Sequence, residues 1–139
     1  MIEISHTKQK QQTIKNELSF SGIGLHSGIQ SKVIIKPSEP GTGINFIRTD
    51  INNNNNQIKA MWYNVTSTLL STTISNKDNV SVSTIEHLMS ALFGMHIDNV
   101  KILIDGPEIP IMDGSSKPFV ELFEKAEIRV QNTPRKIIK

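Results

Sequence analysis

The sequence predicts an α+β fold: one mixed, mainly antiparallel β-sheet with two α-helices packed on one face. Three observations carry this expectation. The first half is a run of short strand-like segments punctuated by Gly, Pro and Asn. Two later segments repeat apolar residues at helical period, and a further strand-like segment lies between them. Strands in a run followed by helices favour segregated layers over an alternating parallel sheet.

Residues 13–20 partly alternate apolar and polar, as a half-buried strand does. Gly22-Ile-Gly-Leu-His-Ser-Gly28 then marks a tight, irregular turn. Residues 31–36 read as a second strand stopped by Pro37. Pro40-Gly41-Thr42-Gly43 is a turn, and residues 44–48 a third strand. The run Asn52 to Asn56 reads as a solvated loop tip. Residues 58–63 and 69–75 are strand-like, with a turn at Asn76-Lys-Asp-Asn79.

The first helix is expected over residues 84–95. Ile85, Leu88, Met89, Leu92 and Phe93 form its apolar stripe. Ser83 and Glu86 match a capping box, and Gly94 is placed to end the helix. Residues 99–104 read as a strand. The second helix is expected over 117–126, with Phe119, Val120, Leu122, Phe123 and Ala126 inward. Ser115 or Ser116 would cap it, and Pro118 suits its first turn. Residues 128–130 read as a short strand end and Gln131 to Pro134 as a linker. Arg135 to Lys139 read as the start of another strand.

Composition narrows the class. The chain has 139 residues, 37% hydrophobic and 20% charged, which suits one folded domain with a real core. A net charge of +2 is too small to argue for nucleic acid. Without cysteine, a disulfide framework, a Cys-based zinc knuckle and a thiol nucleophile are excluded. The polar first residues are not a signal peptide. No stretch approaches the ~20 apolar residues of a transmembrane segment.

Glu86-His87 is the pair most open to chemistry. On a helical wheel His87, Ser90, Ala91 and Gly94 lie opposite the apolar stripe. That face is small and nearly uncharged, so another element could approach closely. Helix logic alone favours Glu86 as a capping residue and His87 as a solvated or interface histidine, with a metal ligand as the second reading. The pair does not fit His-Glu-x-x-His, since position 90 is Ser, nor the inverted motif, since position 83 is Ser. His26, among glycines, reads either as an idle loop residue or as a ligand contact. His96 at the helix end reads as structural, and His6 as idle.

Several segments together resemble the UDP-3-O-acyl-N-acetylglucosamine deacetylases. They are Ser21-Gly-Ile-Gly-Leu-His-Ser-Gly28, Gly43-Ile-Asn-Phe-Ile-Arg-Thr-Asp50, Leu70-Ser-Thr-Thr73, Val82-Ser-Thr-Ile-Glu-His-Leu-Met-Ser-Ala91 and Glu108-Ile-Pro-Ile-Met-Asp-Gly-Ser-Ser-Lys-Pro-Phe119. The resemblance covers nearly all of the chain from about residue 12.

The resemblance implies a Zn2+-dependent amidohydrolase of lipid A biosynthesis, cytoplasmic and compatible with peripheral contact to the inner membrane. It implies two similar α+β domains with the active site between them. His87 then matches a zinc ligand and Glu86 the general base. Leu25, His26, Leu69, Leu70 and Ser71 would line the substrate site. The other protein ligands, a His and an Asp, and a histidine general acid belong to the second domain in the family. On this reading residues 1–131 are the N-terminal domain, and 132–139 a linker and the truncated first strand of the missing C-terminal domain. The fragment alone is then expected to be inactive, with one zinc ligand of its own. The alternative is a non-catalytic binding or dimerisation module that kept the fold. Expected partners are the UDP-sugar substrate and the missing domain, with no nucleic acid.

Overall fold

The computed structural model describes residues 9–52 and 54–135. The α+β class holds, but the strands divide among three sheets rather than one. The main sheet has five strands: β2 (Leu18–Ile23), β3 (Gln30–Pro37), β9 (Val100–Ile104), β4 (Ile44–Arg48) and β5 (Gln57–Lys59), in that spatial order. All neighbours are antiparallel except β4 and β9. A small antiparallel sheet joins β6 (Val65–Ser67), β7 (Thr73–Ser75) and β8 (Ser81–Ser83). A ribbon pairs β1 (Lys10–Ile14) with β10 (Ile128–Pro134).

Each departure from the expected strands has a local cause. The strand expected over 13–20 breaks at Lys15-Asn-Glu17, where the chain caps the second helix. The Lys15 and Asn16 amides donate to Glu127 O and Ala126 O at 2.8 and 3.1 Å, satisfying carbonyls that a helix end leaves orphaned. The strand expected over 58–63 stops at Lys59, and Trp62–Asn64 form a single 3-10 turn. Of the segment 69–75 only Thr73–Ser75 is strand; β6 and β8, three residues each, are too short to show an alternation in the sequence. Residues 132–134, expected in a linker, continue β10. The further strand expected from Arg135 falls almost wholly on residues 136–139, outside the described residues.

Period-two alternation builds the core side of the main sheet. Val33 and Ile35 of β3, Ile44 and Phe46 of β4, and Ile102 and Ile104 of β9 point inward. Lys32, Lys36 and Lys101 point out to water. Helices α1 (Glu86–Gly94) and α2 (Lys117–Ala126) cover the inward face and share its apolar cluster. Phe20 of β2 meets Phe119 of α2 with ring centroids 5.3 Å apart.

Helix α1 begins at Glu86, two residues later than expected, and Ser83 does not cap it. Ser83 belongs to β8, where its hydroxyl accepts from Thr73 Oγ1 at 3.0 Å. The buried stripe is also rotated from the expected one. Leu88, Ala91 and Leu92 are inside, whereas Phe93 is 66% exposed. Gly94 remains helical, and the left-handed residue beyond the helix is His96, at φ 57°. Ser115 is the serine that serves α2: its hydroxyl accepts from the Lys117 amide at 3.2 Å.

The ribbon is held to the body by buried amides. Asn99 Nδ2 donates to Gln11 Oε1 and Gln131 Oε1 at 2.9 and 2.8 Å, and Gln131 Nε2 donates to Ser38 O at 2.8 Å. Thr13 Oγ1 donates to Asn99 O. Buried amides so fully matched cost little and specify one arrangement. The small sheet is tethered to the β4–β5 edge by Arg48 Nη1, which donates to Ser81 O at 2.8 Å.

Candidate functional site

Four of the segments singled out in the sequence converge at the small sheet and the start of α1. The first is the turn after β2. The Gly24 amide donates to Ile29 O and the Gly24 carbonyl accepts from the Gly28 amide, both at 3.0 Å, which curls Leu25, His26 and Ser27 outward. A β-carbon on Gly24 would lie 2.3 Å from Glu108 Oε1 and 2.5 Å from Ser27 Oγ. Only glycine fits there, because the neighbouring oxygen belongs to a buried residue and has no room to retreat.

That residue is the second contribution. Glu108 is 2% exposed. Its Oε1 accepts from the Ser27 and His26 amides at 2.8 and 3.1 Å, and its Oε2 from the Thr84 hydroxyl at 2.5 Å. Burial pushes its pKa up, but the Thr84 hydroxyl and the two turn amides outweigh it and hold the carboxyl below its ordinary range. The sequence pattern alone does not single out Glu108. The available signal was an acid embedded in the run Glu-Ile-Pro-Ile.

The third contribution is the loop into β7. Leu69 and Leu70 are 89% and 77% exposed, and Ser71 is half-buried. The fourth is the start of α1. The Thr72 amide donates to Glu86 Oε1 at 3.1 Å, and the Ile85 amide donates to Thr72 O at 3.3 Å. Thr84, just before, has φ 59°. That left-handed conformation is strained for a β-branched residue, and no sequence signal announces it.

A groove of about 390 Å³ runs between the first three contributions. His26, Leu69, Leu70 and Ser71 line it together with Ser27, Ser67, Thr73, Ser83, Pro107 and Glu108. Four of the five expected substrate-site residues are thus brought to one groove. Leu25 lies in the same turn, 59% exposed, but outside the groove wall.

Glu86 and His87 are not in that wall either. Glu86 is joined to the loop that follows Ser71 through the Thr72 amide. Both residues of the pair are half-buried. Glu86 Oε2 and the His87 imidazole make no hydrogen bond or ion pair among the described residues. An imidazole without a partner can serve as a metal ligand. Yet no three His, Asp or Glu among the described residues converge on one point. Catalytic zinc commonly takes three protein ligands, so the described residues fit one ligand of a metal site and do not form one by themselves.

Comparison with known proteins agrees with the segment pattern. The family described as LpxC, UDP-3-O-acyl N-acetylglycosamine deacetylase, matches residues 11–139. The UDP-3-O-acyl-N-acetylglucosamine deacetylase of Citrifermentans bemidjiense is 52% identical over 128 residues, covering 92% of this chain and 41% of the relative. The protein of the same name from Phenylobacterium zucineum is 44% identical over 128 residues, covering 92% and 44%. That of Shewanella pealeana is 46% identical over 129 residues, covering 93% and 42%. The chain spans less than half the length of these relatives.

Proposed function

Since the chain belongs to the UDP-3-O-acyl-N-acetylglucosamine deacetylase family, we propose that it carries the Glu86–His87 part of a zinc-dependent deacetylase site. The substrate on this reading is UDP-3-O-acyl-N-acetylglucosamine, whose acetyl group is removed on the way to lipid A. The remaining ligands come from protein beyond the residues described here, in a second domain of the longer polypeptide. On this reading the enzyme works in the cytoplasm. Among the described residues no helix is long and apolar enough to cross a membrane.

The observation that carries the proposal is the asymmetry of Glu86. One carboxylate oxygen is anchored by the Thr72 amide at 3.1 Å, and the other makes no hydrogen bond or ion pair among the described residues. An anchored carboxylate with one open oxygen is arranged to take a proton from water without rotating away. His87 would be one ligand of the zinc. When bound, the metal supplies Lewis acidity for an amide carbonyl, a poor electrophile on its own. The groove beside it offers Leu69 and Leu70 as an apolar wall and His26 and Ser71 as polar contacts for the substrate.

A hybrid enzyme tests this. Residues 11–135 replace the matching segment of the Citrifermentans bemidjiense deacetylase, and acetate release from the UDP-sugar is measured with zinc present. Turnover is expected, with Glu86→Gln lowering kcat by roughly 10²–10⁴-fold and His87→Ala weakening zinc binding. A folded hybrid that binds substrate and never turns over would favour a non-catalytic module instead.

A further inference from the structure

We propose that Glu108 is a positioning residue: its one buried carboxylate holds the turn bearing Leu25 and His26 in register with the turn that launches Glu86 and His87. The inference rests on the functional reading above for its consequence, though not for its geometry.

The carboxylate joins two otherwise separate pieces of backbone. On one side it accepts the His26 and Ser27 amides, and on the other the Thr84 hydroxyl, two residues before Glu86. Its own backbone is fixed beside β8, where the Ser83 amide donates to Pro107 O at 2.8 Å and the Ile109 amide to Ser83 O at 3.0 Å. No cation pairs with Glu108 among the described residues. Its charge is therefore balanced by fixed N–H and O–H dipoles, an arrangement that ties geometry to ionisation.

Two further features accord with this bridge. Gly24 gives up its side chain to let the carboxylate reach the turn. Thr84 holds a left-handed backbone that its hydroxyl bond to Glu108 helps to keep. A threonine there costs strain that a glycine would not, and it supplies the hydroxyl donor that glycine lacks.

Amide exchange and histidine imidazole resonances of the 139-residue chain test the bridge without any turnover. Glu108→Ala should speed exchange at the His26 and Ser27 amides at least tenfold relative to Val33 and Ile102, and shift the His87 imidazole signals. Thr84→Val should reproduce the His87 shift, and Thr84→Ser should restore the wild-type spectrum. If Glu108→Ala does not fold, the Thr84 pair decides. Exchange that rises evenly across the chain, or His87 signals that stay in place, would overturn the proposal. A hybrid that never turns over would sink the deacetylase reading while leaving this result standing.

Discussion

Thr72 and Glu86 hold each other through the backbone: the Thr72 amide donates to the Glu86 carboxylate at 3.1 Å, while Thr72 O accepts from the Ile85 amide at 3.3 Å. The pair closes a small ring between the groove loop and the first turn of α1. Because the donor is main chain, Thr72→Ala should leave hybrid turnover within about twofold. Thr72→Pro removes the N–H and should lower kcat at least tenfold with a smaller effect on KM. Steady-state kinetics of the two variants, with melting curves as control, decide the matter; equal effects would mean that the anchor is irrelevant.

Glu108 should make the fold acid-sensitive. Its folded-state pKa is lowered from an ordinary value of 4.5. Its contribution is therefore present above about pH 4.5 and lost as pH falls through the lower, folded-state value. Urea midpoints measured from pH 7 down to pH 3 should fall for the wild type in this window. Glu108→Gln, which has no such proton to bind, should show a shallower decline. Parallel declines would mean that other carboxylates carry the acid limb.

Gly24 and Gly28 should respond differently to alanine. At Gly24 the new methyl meets the Glu108 carboxylate, and destabilisation of about 1–3 kcal/mol is expected together with loss of the bridge. At Gly28, φ is 68° and nothing lies within 4 Å, so the cost is backbone strain alone, roughly 1–2 kcal/mol. Chemical denaturation gives both costs, and the Ser27 amide resonance should move far more for Gly24→Ala.

The face of α1 can be checked directly. Leu92 is fully buried, and Leu92→Ala should cost about 2–5 kcal/mol. Phe93 is 66% exposed, and Phe93→Ala should stay within about 0.5 kcal/mol in the 139-residue chain. A loss at Phe93 as large as that at Leu92 would restore the stripe expected from the sequence.

Zinc titrated calorimetrically into the 139-residue chain should give no tight one-to-one site, since no three His, Asp or Glu converge among the described residues. Stoichiometric binding abolished by His87→Ala would show that this chain supplies more ligands than the geometry provides.

The α+β class, both helices and most strands of the main sheet were legible because their apolar residues repeat at fixed periods. The groove was legible as separate segments, of which His26, Leu69, Leu70 and Ser71 meet. What escaped was tertiary. Ser83 has the chemistry of a cap, but β8 claims it first. Ala91 falls on the open face of the helical wheel yet is 1% exposed, because sequence period does not encode which elements pack against that face. Glu108 and Thr84 gain their roles only from partners distant in sequence.

The ribbon of β1 and β10 has a consequence for how the chain comes to be folded. Gln11 Nε2 donates to Pro134 O at a sequence separation of 123. During synthesis, β1 therefore leaves the ribosome with its edge unsatisfied and stays so until almost everything described here has been translated. Pairings of such long range are slow to form, and an unpaired edge is the part of a nascent chain most open to wrong partners. Lys10 opposite Pro134 also brings the incoming and outgoing backbone side by side, so the unit can be spliced into a longer polypeptide as a single bulge with one point of attachment.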